Sequence, residues 1–252
     1  MKKILFGHEI YVLGGCINGE LTSNVFVIDC LHNTFRILPS MRMPRGCAVF
    51  GIVDGKIYVI GGYNKADSLD NWVEVFDLEK QTWESFSGLC NEDLYKITLN
   101  MNEKIYIMDR RTNVIYDPKK GVWEKDFLLN SDWKVGSCVI DNMLYTFGFD
   151  CQKCVYRIRV YDPRMRVWSF VKGIENIPKM HETRGSRMAN HGGDLTIMLN
   201  LDKSGGTEIW CIQVALERRG EHGEILGKVL WSNLVLTLEN SSTIVQCLDI
   251  TI

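Results

Sequence analysis

The sequence of 252 residues contains only five prolines, too few for a Pro-rich linker. No apolar run approaches the ~18 residues that a membrane-spanning helix needs. The opening stretch, Met1-Lys2-Lys3-Ile4-Leu5-Phe6-Gly7-His8-Glu9, is basic at first, but its apolar part ends after three residues. That is short of the ~7–15 residues of a secretory signal core. An excess of charge of one sign is lacking as well, since 29 Lys and Arg stand against 31 Asp and Glu for a net charge of −2. A nucleic-acid binder depends on a basic excess or stripe, so neither nucleic acid nor a membrane is an expected partner. Hydrophobic residues make up 46% and charged residues 24%, which excludes wholesale disorder. The expected location is cytoplasmic or nuclear.

Recognisable catalytic chemistry is equally scarce. The nine cysteines (Cys16, Cys30, Cys47, Cys90, Cys138, Cys151, Cys154, Cys211 and Cys247) are odd in number and irregularly spaced. Without a secretory signal they read as small buried hydrophobes or free thiols. Cys151-Gln152-Lys153-Cys154 is a lone C-x2-C, and a structural zinc site wants four ligands. His8, His32, His181, His191 and His222 are scattered, none pairing with another at metal-ligand spacing. No H-E-x-x-H, G-x-S-x-G or P-loop pattern occurs. Asp202-Lys203-Ser204-Gly205-Gly206 lacks a phosphate-binding glycine loop and reads as a turn. His181-Glu182-Thr183-Arg184 falls in a long link, and Arg157, Arg159, Arg164 and Arg166 make a solvated basic patch without interleaved aromatics. No catalytic residue, metal or cofactor is expected.

What the sequence does contain is a repeat. Glu9-Ile10-Tyr11-Val12-Leu13-Gly14-Gly15 returns as Lys56-Ile57-Tyr58-Val59-Ile60-Gly61-Gly62, again as Lys104-Ile105-Tyr106-Ile107-Met108-Asp109, and more weakly as Met143-Leu144-Tyr145-Thr146-Phe147-Gly148. Beyond each copy an Asp precedes an aromatic by six residues: Asp29 and Phe35, Asp77 and Trp83, Asp117 and Trp123, Asp162 and Trp168. Val73-Glu74-Val75-Phe76 and Asn113-Val114-Ile115-Tyr116 are β-branched and aromatic, as strands require. Asp54-Gly55 is a strong hairpin signal, and Asp117-Pro118 and Asp162-Pro163 open type I turns. The second copy predicts strands over 47–52, 56–60, 72–76 and 82–86. A four-stranded unit with a period of ~40–50 residues is a propeller blade. The twin glycine suits a place where another backbone crowds in, and Trp83, Trp123, Trp168 and Trp231 are expected in the core.

The Tyr-x-x-Gly-Gly strand end followed by Asp-x5-Trp resembles the kelch repeat. In later copies the diglycine becomes Met108-Asp109, Phe147-Gly148 and Met198-Leu199. The fifth copy, with Ile209-Trp210-Cys211-Ile212-Gln213-Val214 and Gly223-Glu224-Ile225-Leu226-Gly227-Lys228-Val229-Leu230-Trp231, is similar to the last blade of plant F-box/kelch-repeat proteins. The expectation is an all-β, kelch-type β-propeller forming a single domain over 1–252. Its repeats fall near 2–45, 46–91, 92–131, 132–178 and 184–236. An extra strand at 243–252 lies at the seam, as five blades or as an incomplete six-bladed ring.

The resemblance implies a non-catalytic module that binds a partner protein through one loop face, by family the substrate-recognition part of an SCF-type ubiquitin ligase. No F-box precedes the repeats in this sequence, so the chain alone is not expected to hold the ligase adaptor. A kelch-propeller metalloenzyme and a truncated non-functional remnant stay open as alternatives. In an antiparallel meander, b–c loops and blade-to-blade links share one end, and such loops carry specificity on a rigid scaffold. On that end fall Arg42, Arg45, Tyr63, Asn64, Arg110, Arg111, Arg184 and Arg187. A forked guanidinium suits the carboxylates of an acidic peptide.

Overall fold

A computed structural model describes residues 2–62, 72–87, 97–108, 113–129, 133, 136–150, 153, 155–174, 183–203, 205–219, 223–244 and 246–249. Contacts divide the chain into two compact units, Met1–Phe127 and Leu128–Asp249. The first unit holds three four-stranded sheets. In the first, β1 (Lys2–Phe6), β2 (Glu9–Leu13), β5 (Val25–Asp29) and β6 (Thr34–Leu38) lie side by side. A small hairpin of β3 (Cys16–Ile17) and β4 (Glu20–Leu21) stands between β2 and β5. The second sheet contains β7 (Val49–Val53), β8 (Lys56–Ile60), β9 (Val73–Asp77) and β10 (Thr82–Phe86). The third contains β11 (Ile97–Met101), β12 (Lys104–Met108), β13 (Val114–Asp117) and β14 (Val122–Lys125).

The second unit holds two sheets. One is β15 (Cys138–Ile140), β16 (Met143–Asp150), β17 (Val155–Asp162) and β18 (Val167–Phe170); the other is β19 (Thr183–His191), β20 (Asp194–Lys203), β21 (Gly206–Arg219) and β22 (Glu224–Leu238). Every four-stranded sheet is an antiparallel meander, its strands consecutive except where the β3–β4 hairpin stands between β2 and β5, and no α-helix occurs among the described residues. The protein is all-β, and its five sheets are the blades of a β-propeller.

Burial explains why the repeat reads as it does. Four of the five residues of β8 and four of the five of β9 are buried, whereas β10 is mostly exposed. Strands covered on both faces select continuous apolar runs, and only the outer strand alternates. The strand-b tyrosines Tyr11, Tyr58, Tyr106 and Tyr145 are all buried. Residues of neighbouring blades share the cores: Leu13, Val27, Ile57 and Phe76 in one, Ile60, Val75, Ile105 and Tyr116 in another, Tyr145, Ile158, Leu199 and Ile212 in a third.

The repeated Asp is a turn device. Asp29 Oδ1 accepts the N–H groups of Leu31 and His32 at 3.0 Å each, and Asp77 Oδ1 accepts those of Glu79 and Lys80 at 3.1 and 2.9 Å. Asp162 does the same with Arg164 and Met165. Four residues after each Asp the chain turns left-handed, at Asn33, Gln81, Gly121 and Arg166. The next strand then places the aromatic opposite the residue before the Asp: Trp83 faces Phe76, Trp123 faces Tyr116 and Trp168 faces Tyr161. Ring centroids are 4.9, 4.5 and 5.2 Å apart. Indole N–H groups reach back to the preceding link, Trp83 to the Pro39 carbonyl at 2.8 Å and Trp168 to that of Leu128 at 3.0 Å.

Two expectations are corrected. Trp231 is 39% exposed, because β22 is an outer edge strand with one face to solvent, and its indole N–H donates to Gln213 at 2.6 Å instead of filling a core. Trp123 and Trp168 are half-buried; only Trp83 is buried among the four. The closing strand expected at 243–252 is not a strand in its described residues, 243, 244 and 246–249. Side chains hold this segment against the fifth sheet. Asn200 Nδ2 donates to the Ser242 carbonyl at 3.4 Å, Cys247 Sγ lies 3.6 Å from Met198 Sδ, and His191 meets Asp249 at 2.7 Å.

Candidate functional site

The b–c loop and the following link meet at one end of the first blade through backbone bonds. Gly15 N donates to Arg45 O at 2.7 Å, Arg45 N to Thr22 O at 3.1 Å and Met41 N to Ser23 O at 2.9 Å. The diglycines make this approach feasible. Gly14 and Gly62 have φ of 55° and 82°, and a Cβ on either would collide with backbone, with Arg45 O in one case and Ala48 N in the other. Left-handed φ and absent Cβ are the two properties glycine alone supplies together.

Beneath this junction lies a charged node. The side chains of Arg45 and Glu74 are both 0% exposed and pair at 2.9 Å through Nη2. Arg45 Nε also donates to Glu74 at 3.0 Å, and Nη1 donates to the Gly61 carbonyl at 2.6 Å. The Glu74 carboxylate further accepts the backbone N–H groups of Arg42 at 2.6 Å and Met43 at 3.1 Å. A buried ion pair is tolerable only when its remaining valences are satisfied, and here the link backbone satisfies them. Arg45 is therefore corrected from a candidate contact residue to an anchor. Its guanidinium binds the loop to the second blade and has no surface to offer.

What the anchor supports is exposed. All the residues of the β3–β4 hairpin stand out, with Ile17 and Leu21 among the large apolar side chains left uncovered. Arg42 is exposed on the link, its Nη2 reaching the second blade to donate to the Trp83 carbonyl at 3.0 Å. Arg187 is half-buried in β19, not in a loop, and its Nη1 donates to the Ser186 carbonyl at 2.8 Å. Burial lowers its pKa from the ordinary arginine value. Arg187 lines a cavity of about 60 Å³ with Gly185, Ser186, Asn200, Thr243 and Ile244. Arg184 also belongs to β19, so it stands in strand and not in the long link expected there. The turn expected at 202–206 is the tip of a hairpin whose ladder runs to Lys203 opposite Gly206. Tyr63, Asn64, Arg110 and Arg111 lie outside the described residues, as do Cys151, Cys154, His181 and Glu182.

At the opposite end of the first blade the structure joins residues that looked scattered in sequence. His8, Asp29 and His32 present ligand-type atoms within 4.8 Å of one another. A 24-residue separation between the histidines hides their meeting, which the hairpin pairing of β2 with β5 brings about. The legible signal was a histidine three residues beyond the turn Asp. Six cysteines (Cys16, Cys30, Cys47, Cys138, Cys211 and Cys247) are free thiols, and burial raises the pKa of Cys138 well above its ordinary value.

The repeat architecture agrees with comparison to known proteins. Residues 2–236 match the family described as FKB95, Kelch-repeats domain. A putative F-box/kelch-repeat protein of Arabidopsis thaliana is 79% identical over 99% of this chain and 66% of its own length. Two F-box/kelch-repeat proteins of the same plant are 51% and 47% identical, over 100% and 98% of this chain and 65% and 64% of theirs. The chain thus spans about two thirds of the length of these curated relatives. With its blades, its Asp turns and this match over nearly all its residues, the chain belongs to the plant F-box/kelch-repeat family.

Proposed function

We propose that this chain is a protein-interaction module that grips a polar or acidic segment of a partner protein with the loop-bearing end of its blades. Within an F-box/kelch protein of the cytoplasm or nucleus it serves as the substrate-recognition part of an SCF-type ubiquitin ligase. The observation that carries the reading is the exposed β3–β4 hairpin, bonded through its flanking backbone to a link whose base is the buried Arg45–Glu74 pair. A rigidly held projection costs less ordering entropy on binding than a loose loop, and apolar Ile17 and Leu21 of the hairpin together with cationic Arg42 of the link combine anchoring with carboxylate recognition. Tyr63, Asn64, Arg110 and Arg111 complete the proposed contact set of the first unit, and Arg184 and Arg187 are proposed contacts of the second. The repeats do not hold the ligase adaptor, a task that falls to the F-box of the family.

Affinity capture from plant extract with the intact chain tests this. Replacing Ile17→Asp together with Arg42→Glu is expected to remove the partner, while Lys119→Glu, at the far end of its blade, leaves capture intact. Equal recovery by the wild type and the rim variant would overturn the assignment.

A further inference from the structure

The first blade differs from its neighbours at the end away from the proposed rim. In the second blade the turn carboxylate of Asp77 is flanked by Lys56 and Lys80, each at 3.9 Å, and in the third Asp117 meets Lys104 at 3.3 Å. In the first blade the lysine at the start of strand b is replaced by Glu9, and the position three residues after the Asp is His32. Glu9 does not compensate Asp29; it is taken up by Arg36 at 2.7 Å and by the Tyr11 hydroxyl at 2.6 Å. The a–b turn also changes. Its first central residue, Gly7, has φ of 59° while His8 stays in the ordinary region, a type II′ turn, whereas the corresponding turns of the second and third blades are left-handed at both central residues. That turn presents His8 toward Asp29.

Asp29 is already oriented for a ligand. Its Oδ1 is held by the Leu31 and His32 backbone N–H groups, and these bonds together with the His32 imidazole hold its carboxyl down to about 2. His32 Nδ1 lies 2.9 Å from Asp29 Oδ2, and His8 Nε2 lies 3.7 Å from Oδ1. The Cys30 N–H donating to the His8 carbonyl at 3.0 Å fixes the spacing of the two turns. Around a tetrahedral ion with bonds of about 2.0–2.2 Å, two donors stand roughly 3.3 Å apart. The two histidine–carboxylate separations lie on either side of that value, one to each oxygen of Asp29, and all three ligand-type atoms lie within 4.8 Å of one another.

We propose that His8, Asp29 and His32 form a three-ligand site for a zinc-class divalent transition metal. Two imidazoles and one carboxylate favour Zn²⁺, Co²⁺, Ni²⁺ or Cu²⁺ over Mg²⁺ and Ca²⁺, which take all-oxygen shells. With His8 and His32 side chains 41% and 65% exposed, the fourth coordination position faces solvent. When the ion binds, His32 carries its proton on Nε2 and turns the Nδ1 lone pair to the metal.

Calorimetric titration of the full chain with Zn²⁺ alone, under thiol-protecting reduction, tests the site. One saturable equivalent is expected. His8→Ala and His32→Lys are each expected to weaken it by at least tenfold, since even loss of an outer-sphere partner costs ~10–100-fold. His32→Lys restores the residue that the second and third blades use, so its fold is preserved, and unchanged far-ultraviolet dichroism checks that. Cys30→Ser is expected to bind as the wild type does. Absence of saturable binding would overturn the proposal. So would retention of full affinity by both histidine variants, or loss of binding with Cys30→Ser, which would assign the ion to thiols.

Discussion

In the second blade every strand is five residues long, while in the fifth the strands run 9, 10, 14 and 15 residues. The second blade ends strand b with Gly61-Gly62, at φ of 65° and 82°, a backbone that leaves the ladder and admits the Gly46 N–H to the Gly62 carbonyl at 2.7 Å. Counted from the a–b turn, the fifth has Leu199-Asn200 there rather than the Met198-Leu199 expected from the sequence, and the pairing of β20 with β21 runs on to Lys203 opposite Gly206. Without the left-handed break nothing stops the hairpin, so a long loop is exchanged for long strands. The two blades are also held differently. The second uses a buried ion pair and a buried Trp83; the fifth relies on its ladder and on apolar filling by Leu195, Ile197, Leu199, Ile212 and Val214. Its edge strand leaves Leu230, Trp231, Leu234, Val235 and Leu236 exposed. Diglycine thus marks where this repeat builds a projecting rim.

The sharpest way to break this comparison is Arg45→Ala. Removing one member of a buried pair strands the other, and a loss of ~3–5 kcal/mol is expected in urea unfolding. Replacing both as Arg45→Met and Glu74→Leu is expected to recover much of that loss, though the Arg42 and Met43 N–H groups then lack their acceptor. A single variant as stable as the wild type would show that the node is dispensable. The aromatic position gives the next contrast. Trp83→Ala is expected to cost ~3–5 kcal/mol, whereas Trp231→Ala on the exposed face of β22 costs less than ~1 kcal/mol. Equal melting shifts would erase the distinction between the blades.

The smallest expected effect concerns the segment that lies along the fifth sheet. The hydrogen bond to Asp249 raises the pKa of His191 above its ordinary 6.5, with Asp194 acting in the same direction. A raised folded-state pKa means the contact contributes fully below pH 6.5 and is lost as pH rises through the raised value. Hydrogen-exchange protection around 246–249, taken relative to the intrinsic rate at each pH, is therefore expected to fall above neutral pH, and His191→Gln to remove that pH dependence.

Much of the fold was legible because it is written locally. Tyr58 and its neighbours announce a doubly covered strand, and Asp54-Gly55 and Asp77 announce turns whose hydrogen bonds span only a few residues. The expected strands at 56–60 and 82–86 match β8 and β10, and those at 47–52 and 72–76 fall within a residue or two of β7 and β9. Trp231 misled because an indole in an apolar run looks the same whether its strand is central or an edge. Strand 243–252 misled because a β-branched segment carries no information about whether a free sheet edge awaits it. Arg45 misled most, since a link arginine is ordinarily solvated and only its distant partner Glu74 makes it an interior residue.

What the sequence determined by itself was the all-β class, the four-stranded blade as repeating unit and the turn at each Asp, all consequences of contacts between residues near in the chain. Only tertiary structure decided that Arg45 is an anchor, that His8 and His32 converge on Asp29, and which tryptophan is covered. Those outcomes depend on residues brought together from distant positions, where burial and neighbouring charge, not residue type, set the role.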